Sequence, residues 1–457
     1  MRTTVVNPVL WLLAVTALVA VAGAVRRQSA RQSVQRVLQW STTTPVLALM
    51  VTLALGGVGS RVILGYLSPG AYADEVVGAR AFLAERRLYD GDERAELTKW
   101  FTEAPAVTAP WTLPGITPCQ ANALEQRPQF FTSQAHMPTL LLSSVPVVHL
   151  VGGRGLYLVL VLGSIASILA MVGVVLRESA LEWRSRVGLL GLAAIAGWQP
   201  VLAGLRQGDA VLMATALVTL SWHFVRRGRM GPAGLAGGAA GCLVLPALAA
   251  LPALWRCSRR ACAVALCIWV GGVAASMAAA GLMVVPDFAD TLAVTARTYA
   301  EAMPNYAIVG RALLAGAGAW ALVAVVSVAA LFSAVRSRSA DTAFGTFIAL
   351  GLLATPVVWS QHLALALVPL AVVFRRVWST GTSLSLAVWA AIAALLSLPD
   401  PAVAYLSEAI ALPSVTSAAS PVVPVVLLVL WASILFGPDV EAVSKPVLTV
   451  GGAPVHP

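Results

Sequence analysis

Charge is what this chain has least of. Of 457 residues only 11% are Asp, Glu, Lys or Arg, against about 25% in a soluble globule. Cysteine is nearly as scarce. Cys242, Cys257, Cys262 and Cys267 lie in or beside apolar runs and Cys119 stands alone, with no CxxC pair and no zinc spacing. This excludes a disulfide framework and a zinc ribbon. No glycine-rich nucleotide loop is present. There is no heptad, no solenoid period and no inverted repeat, so the repeated halves of a typical transporter are missing. Lysine is almost absent as well, and arginine carries nearly the whole net charge of +10.

What is present is apolar. Hydrophobic residues make up 59% of the chain and mean hydropathy is +0.84. Apolar runs near 20 residues match a hydrocarbon core about 30 Å thick. The spacing predicts an all-α integral membrane protein, a polytopic bundle. About eleven spans are expected, over residues 9–25, 45–66, 156–176, 187–203, 209–225, 261–284, 306–334, 343–358, 361–374, 380–398 and 420–437. The first run has a weak basic flank and no clear cleavage site, and reads as a retained helix. Residues 1–66 then hold the first two spans, 67–136 a long loop with amphipathic helices, 137–437 the bundle and 438–457 a polar tail.

Arginines cluster between runs without acids: Arg26, Arg27, Arg31 and Arg36; Arg226, Arg227 and Arg229; Arg256, Arg259 and Arg260; Arg336 and Arg338; Arg375 and Arg376. This is a positive-inside pattern rather than a nucleic-acid patch. It puts the loop 67–136 outside. Two apolar stretches then break the alternation of sides. Residues 137–151 contain Pro138 and Pro146, and residues 233–255 contain Pro246 and Pro252. Both fit if each dips in and returns or lies at the interface. Such broken backbone is tolerated only where protein or a water-filled cavity covers it.

With that orientation, polar residues collect at one membrane face: Asp74 and Glu75, His136, Arg206 and Asp209, Asn305 and Arg311, and Gln361 with His362. Ionisable groups at such depth are functional candidates. Each also has an ordinary reading. Asp74 could be first-turn charge behind a Ser68 cap and Pro69. Arg206 and Asp209 could pair across their turn. His136 could cap a helix, His362 could bond a neighbouring helix, and Arg311 could snorkel to the surface. Trp100, Trp111 and Trp359 read as interfacial anchors.

The order of the fragments resembles polyprenyl-phosphate-sugar-dependent glycosyltransferases of the GT-C fold, and more narrowly glycosyltransferase family 87, the alpha-mannosyltransferase-like group. The likeness runs through "ADEVVGARAFLAERRLYD", "AHMPTLLLSSVP", "RQGDAVLM", "RRGR", "CLVLPAL", "NYAIVGR" and "TPVVWSQHL". It departs from the family pattern at Asp209 (a glutamine there), Val244 (lysine), Ala307 (serine) and Gln361 (histidine). The resemblance implies transfer of a sugar, mannose in this group, from a polyprenyl-phosphate donor to a lipid or glycan acceptor. It implies an inverting displacement at the outer face of a bacterial plasma membrane. Asp74, with Glu75 as understudy, is then the base; Arg311, His362 and Arg206 hold the donor phosphate; Asp209, Asn305 and His136 contact sugar or acceptor. Asp74, Glu75 and Asp209 could offer oxygen ligands to a divalent metal, but no spacing signals one, and no cofactor is expected. The alternatives are a transporter or flippase without chemistry, an inactive assembly partner in a cell-envelope glycan pathway, and a polysaccharide ligase or polymerase. The last usually carries its large outer loop late in the chain.

Overall fold

The computed structural model describes residue 39 and residues 42–67, 72–89, 136–179, 181–182, 185–302, 320–337, 339–380, 383–398 and 422–437. Every regular element among them is helical. In chain order they are α1 (Thr44–Leu67), α2 (Tyr72–Leu83), α3 (Pro138–Glu178), α4 (Arg186–Ala196), α5 (Gln199–Gln207), α6 (Val211–Arg226), α7 (Met230–Leu243), α8 (Ala250–Cys257), α9 (Arg259–Ala280), α10 (Val284–Ala302), α11 (Trp320–Arg336), α12 (Ala340–Ala354), α13 (Leu367–Thr380), α14 (Ser383–Leu395) and α15 (Val422–Phe436). Short 3₁₀ segments at Leu245–Ala249 and Ser360–Ala366 precede α8 and α13.

The apolar runs become helices as expected, but fewer of them are long enough to cross a bilayer. Four helices among the described residues have the length and hydropathy to span, and a fifth counts if α4 and α5, bent by 54°, act as one. The expected number of about eleven is therefore not reached among these residues. The run 9–25, residues 306–319, the Ser68–Pro69 cap and the polar tail lie outside the described residues. So does most of the loop 67–136.

The two awkward stretches are both broken. Helix α3 has 41 residues, about 60 Å if straight, or twice a bilayer core. It is interrupted at Gly152, where φ is +71°, a conformation natural to glycine. The first limb, 138–151, lies along α2. There the Ser144 hydroxyl donates to the Glu75 carbonyl at 3.3 Å, and Val148 packs with Val76 and Ala79. The second limb runs on to Glu178.

The stretch 233–255 becomes a helical hairpin. Helix α7 leaves Arg229, Val244 is extended (φ −140°), and α8 returns to Arg256. Pro246, which has no N–H to donate, sits at the turn. Both ends of the hairpin stay with the arginines. The Arg256 Nε donates to the Ser337 carbonyl at 3.0 Å. The apex reaches the opposite end of α6, 16 residues or about 24 Å away. This out-and-back path is one of the two that the charge pattern allowed.

Glycine makes the hairpin fit. A Cβ on Gly234 would lie 2.3 Å from the Ala261 carbonyl oxygen, and one on Gly238 2.5 Å from that of Ala265. The two are four residues apart, on one face of α7, and set it directly against the α9 backbone. Gly238→Leu is therefore expected to push α7 off α9, at a cost of about 1–3 kcal/mol. A lower apparent melting temperature in detergent would register it.

At the arginine end, acids from distant helices pair with Arg226, Arg227 and Arg375. Glu178 contacts His223 at 2.5 Å, binds Arg226 and lies 3.9 Å from Arg227. Asp341 contacts Arg226 at 3.3 Å, binds Arg375 and accepts from Trp222 Nε1 at 2.9 Å. These bonds tie α3, α6, α12 and α13 together below a core of Leu, Val, Ala and Phe side chains.

Candidate active site

The opposite end of the bundle gathers the acids. Asp74 and Glu75 occupy the first turn of α2, where a helix N-terminus favours negative charge. Tyr72 anchors that turn. Its ring packs on Tyr157 at 4.8 Å, and its hydroxyl donates to the Gly65 carbonyl at 3.3 Å. His136, two residues before α3, arrives from the other side, its carbonyl accepting from the Tyr89 hydroxyl at 2.8 Å.

His136 lies between the two acids. Its Nδ1 is 2.7 Å from Glu75 Oε1 and its Nε2 3.6 Å from Asp74 Oδ2. All three are buried, but unequally. The Glu75 side chain is wholly enclosed, whereas 13% of the Asp74 side chain remains exposed. Burial opposes charge on His136, yet the Glu75 carboxylate outweighs it. With Asp74 and Asp209 adding to the pull, the imidazole is pushed up to about 10. His136 is thus an imidazolium at neutral pH. Burial pushes the Glu75 carboxyl up as well, against the pull of His136. Its Oε2 has no hydrogen-bond partner among the described residues.

Asp209 joins them from the turn between α5 and α6. Gly208, at φ +63°, makes that turn, and a Cβ there would lie 2.6 Å from the Tyr157 ring. Asp209 Oδ1 accepts from the Val211 N–H at 3.2 Å. Its Oδ2 is buried and has no partner among the described residues.

His362 comes from the 3₁₀ segment before α13. Its Nδ1 accepts from the Trp359 N–H at 3.1 Å, which leaves the ring proton on Nε2. The Trp359 ring stacks on it at 5.5 Å and 14°.

His136, Asp209 and His362 line one cleft, with about 420 Å³ of atom-free space including its open mouth. Leu243, Val244 and Pro246 of the hairpin apex form its apolar wall, and Thr355 and Trp359 close another side. Asp74 and Glu75 do not line it; they stand behind His136. Asp209 and His362 share the cleft, whereas Asp74, the expected base, does not line it and lies behind His136. Arg206 does not line it either. It is exposed, in the last turn of α5 beside α1. Asn305 and Arg311 lie outside the described residues. Among those residues no three His, Cys, Asp or Glu side chains are arranged to hold a metal ion.

One role escaped the sequence reading. Trp359, read there as an interfacial anchor, is a wall of the cleft. Val244 stands where the resembled family carries lysine, and its place in the wall leaves no lysine or arginine among the cleft's described lining. The motif "TPVVWSQHL" held the signal for Trp359, three residues from His362.

No curated protein and no solved structure matches this chain. Residues 137–360, nearly half the chain, match glycosyltransferase family 87. That segment carries Asp209, the hairpin apex and Trp359, and begins one residue after His136. Most of the cleft's lining lies on the matched segment, and the match supports a membrane-helical glycosyltransferase that resembles family 87.

Proposed function

We propose that the chain transfers mannose from a polyprenyl-phosphate donor to a lipid or glycan acceptor, at the outer face of a bacterial plasma membrane and with inversion. The observation that carries this reading is the juxtaposition of Asp209, His136 and the Nε2–H of His362 on one cleft with an apolar wall, with Asp74 and Glu75 in contact with His136 behind it.

In this reading the acceptor oxygen attacks the anomeric carbon as the bond to the lipid phosphate breaks. The acceptor's proton passes to Asp74, which must come within about 2.6–3.2 Å of it. Asp74 is preferred to Glu75 because part of its side chain is open, whereas Glu75 is sealed against His136. His136 orients Asp74 and limits its basicity. The free Nε2–H of His362 faces the departing phosphate, where positioned donors lower the barrier most. Arg311 supplies the cation that Val244 withholds. The unpartnered Oδ2 of Asp209 accepts from a sugar hydroxyl, and Asn305 contacts the acceptor. The leaving group is already a phosphate ester, so no general acid is needed.

Donor class tests the reading. In proteoliposomes holding the purified chain, labelled polyprenyl-phosphate-mannose is expected to pass its sugar to a lipid acceptor, and labelled nucleotide-mannose is not. Equal transfer from the nucleotide sugar would remove the lipid donor from the scheme.

A further inference from the structure

Two arginines meet at the seam of α1 and α5 without an acid to answer them. Arg61 lies in the apolar helix α1, six residues or about 9 Å short of its end. Arg206 is in the last turn of α5. The helices are pressed together here. A Cβ on Gly65 would lie 2.4 Å from the Arg206 carbonyl oxygen, and one on Gly57 3.6 Å from the Leu202 side chain. Arg61 stands midway between these glycines, four residues from each, and so shares their face. Tyr157 fixes the seam, its hydroxyl within bonding distance of the Val62 carbonyl at 2.9 Å and the Leu205 carbonyl at 3.2 Å.

Arg61 stands one helical turn from Gly65, whose face meets the Arg206 backbone, so the two cations share one stretch of the seam. Neither Arg61 nor Arg206 has an ion pair or side-chain hydrogen bond among the described residues, whereas Arg226, Arg227 and Arg375 of the other pole pair with Glu178 or Asp341. Like charges held together at the end of a membrane helix are costly unless an anion sits between them. The outer surface of α1 is apolar and exposed at Leu49, Leu53, Leu55 and Ile63. An anion that reaches this seam from that side must carry an acyl or prenyl chain.

We propose that Arg61 and Arg206 form a phosphate-binding subsite for the headgroup of an anionic lipid, entered from the bilayer along α1. Paired guanidiniums suit two phosphate oxygens. The subsite is separate from the sugar cleft, since neither arginine lines it. Asp209 of the cleft follows Arg206 by only three residues, so a lipid held here is a neighbour of the cleft, and the subsite can serve as a berth for a lipid substrate. Only that last use, as a berth for a lipid substrate, rests on the transfer reading; the anion site does not.

The test is native mass spectrometry of the full chain released from vesicles of phosphatidylcholine and phosphatidylglycerol at 3:1. Wild-type protein is expected to retain phosphatidylglycerol selectively. R61Q/R206Q is expected to bind it about tenfold more weakly or worse. R206Q alone, a change at an exposed side chain, should show part of that loss, and R61K/R206K should keep most of the binding. Equal retention by wild type and both Gln variants would overturn the proposal and leave the arginines as anchors to bulk headgroups. Displacement of the lipid by millimolar inorganic phosphate, with no preference for phosphatidylglycerol, would overturn the lipid assignment in favour of a free-phosphate site. Asp74→Asn should retain the lipid fully, which separates this result from any failure of transfer.

Discussion

Asp74→Asn is expected to abolish sugar transfer, by about a hundred- to ten-thousand-fold, while the protein still folds and inserts. The magnitude is that of losing a positioned general base. The survival of the fold follows from the geometry. Asp74 lies 3.6 Å from His136, a longer contact than the 2.7 Å pair with Glu75. Removing its charge leaves His136 its principal counter-ion. The helix N-terminus also keeps one acid in its first turn. An amide in the same place cannot take the acceptor's proton, so the loss should fall on kcat with donor binding little changed.

The companion variant decides between the two neighbours. Glu75→Gln keeps the shape of the enclosed side chain but removes the stronger partner of His136. Its effect on transfer should be smaller than that of Asp74→Asn and its effect on stability larger. Near wild-type transfer by Asp74→Asn, with loss in Glu75→Gln, would exchange the roles. Retained transfer in both would take the base away from α2 and leave Asp209 as the carboxylate that lines the cleft.

The elements of this fold were legible because apolar runs and helix breakers are local. Pro246 and the arginines at 229 and 256 announced a segment that returns to its own side, and the hairpin does so. The 41-residue α3 was harder. Its apolar pattern does not reveal that one glycine at position 152 takes a positive φ and ends the first limb.

The site was legible as a set of residues and opaque as an arrangement. Asp74, Glu75, His136, Asp209 and His362 were all expected at one end of the bundle, because each sits at the end of an apolar run. That His136 separates the acids from the cleft depends on a contact across 61 residues, which no periodicity encodes. The pairing of Arg226 and Arg375 with Asp341 was equally hidden. In sequence those clusters are free of acids, and the neutralising carboxylate comes from another helix. Arg206 shows the same limit, since its neighbour Arg61 lies 145 positions earlier.

His136→Ala should be the most destabilising of the site variants. Glu75 is completely buried beside it. Taking away one member of such a pair leaves an uncompensated charge and costs about 3–5 kcal/mol. Glu75→Gln in the same chain should return much of that loss, because the side chain left behind is then neutral. The pH dependence gives a readout that lost packing alone would not move. His136 is held at about 10 in the fold against an ordinary 6.5. Its stabilisation is therefore complete below about 6.5 and drains away as pH rises through about 10. The Glu75 carboxyl is raised from an ordinary 4.5. The apparent melting temperature of the wild type, taken at a fixed scan rate, should decline across this alkaline range. That of H136A/E75Q should be much flatter, because both titrating partners are gone. An unchanged slope in the double variant would mean that the coupled proton lies elsewhere, and that His136 does not carry the charge which holds Asp74 in place.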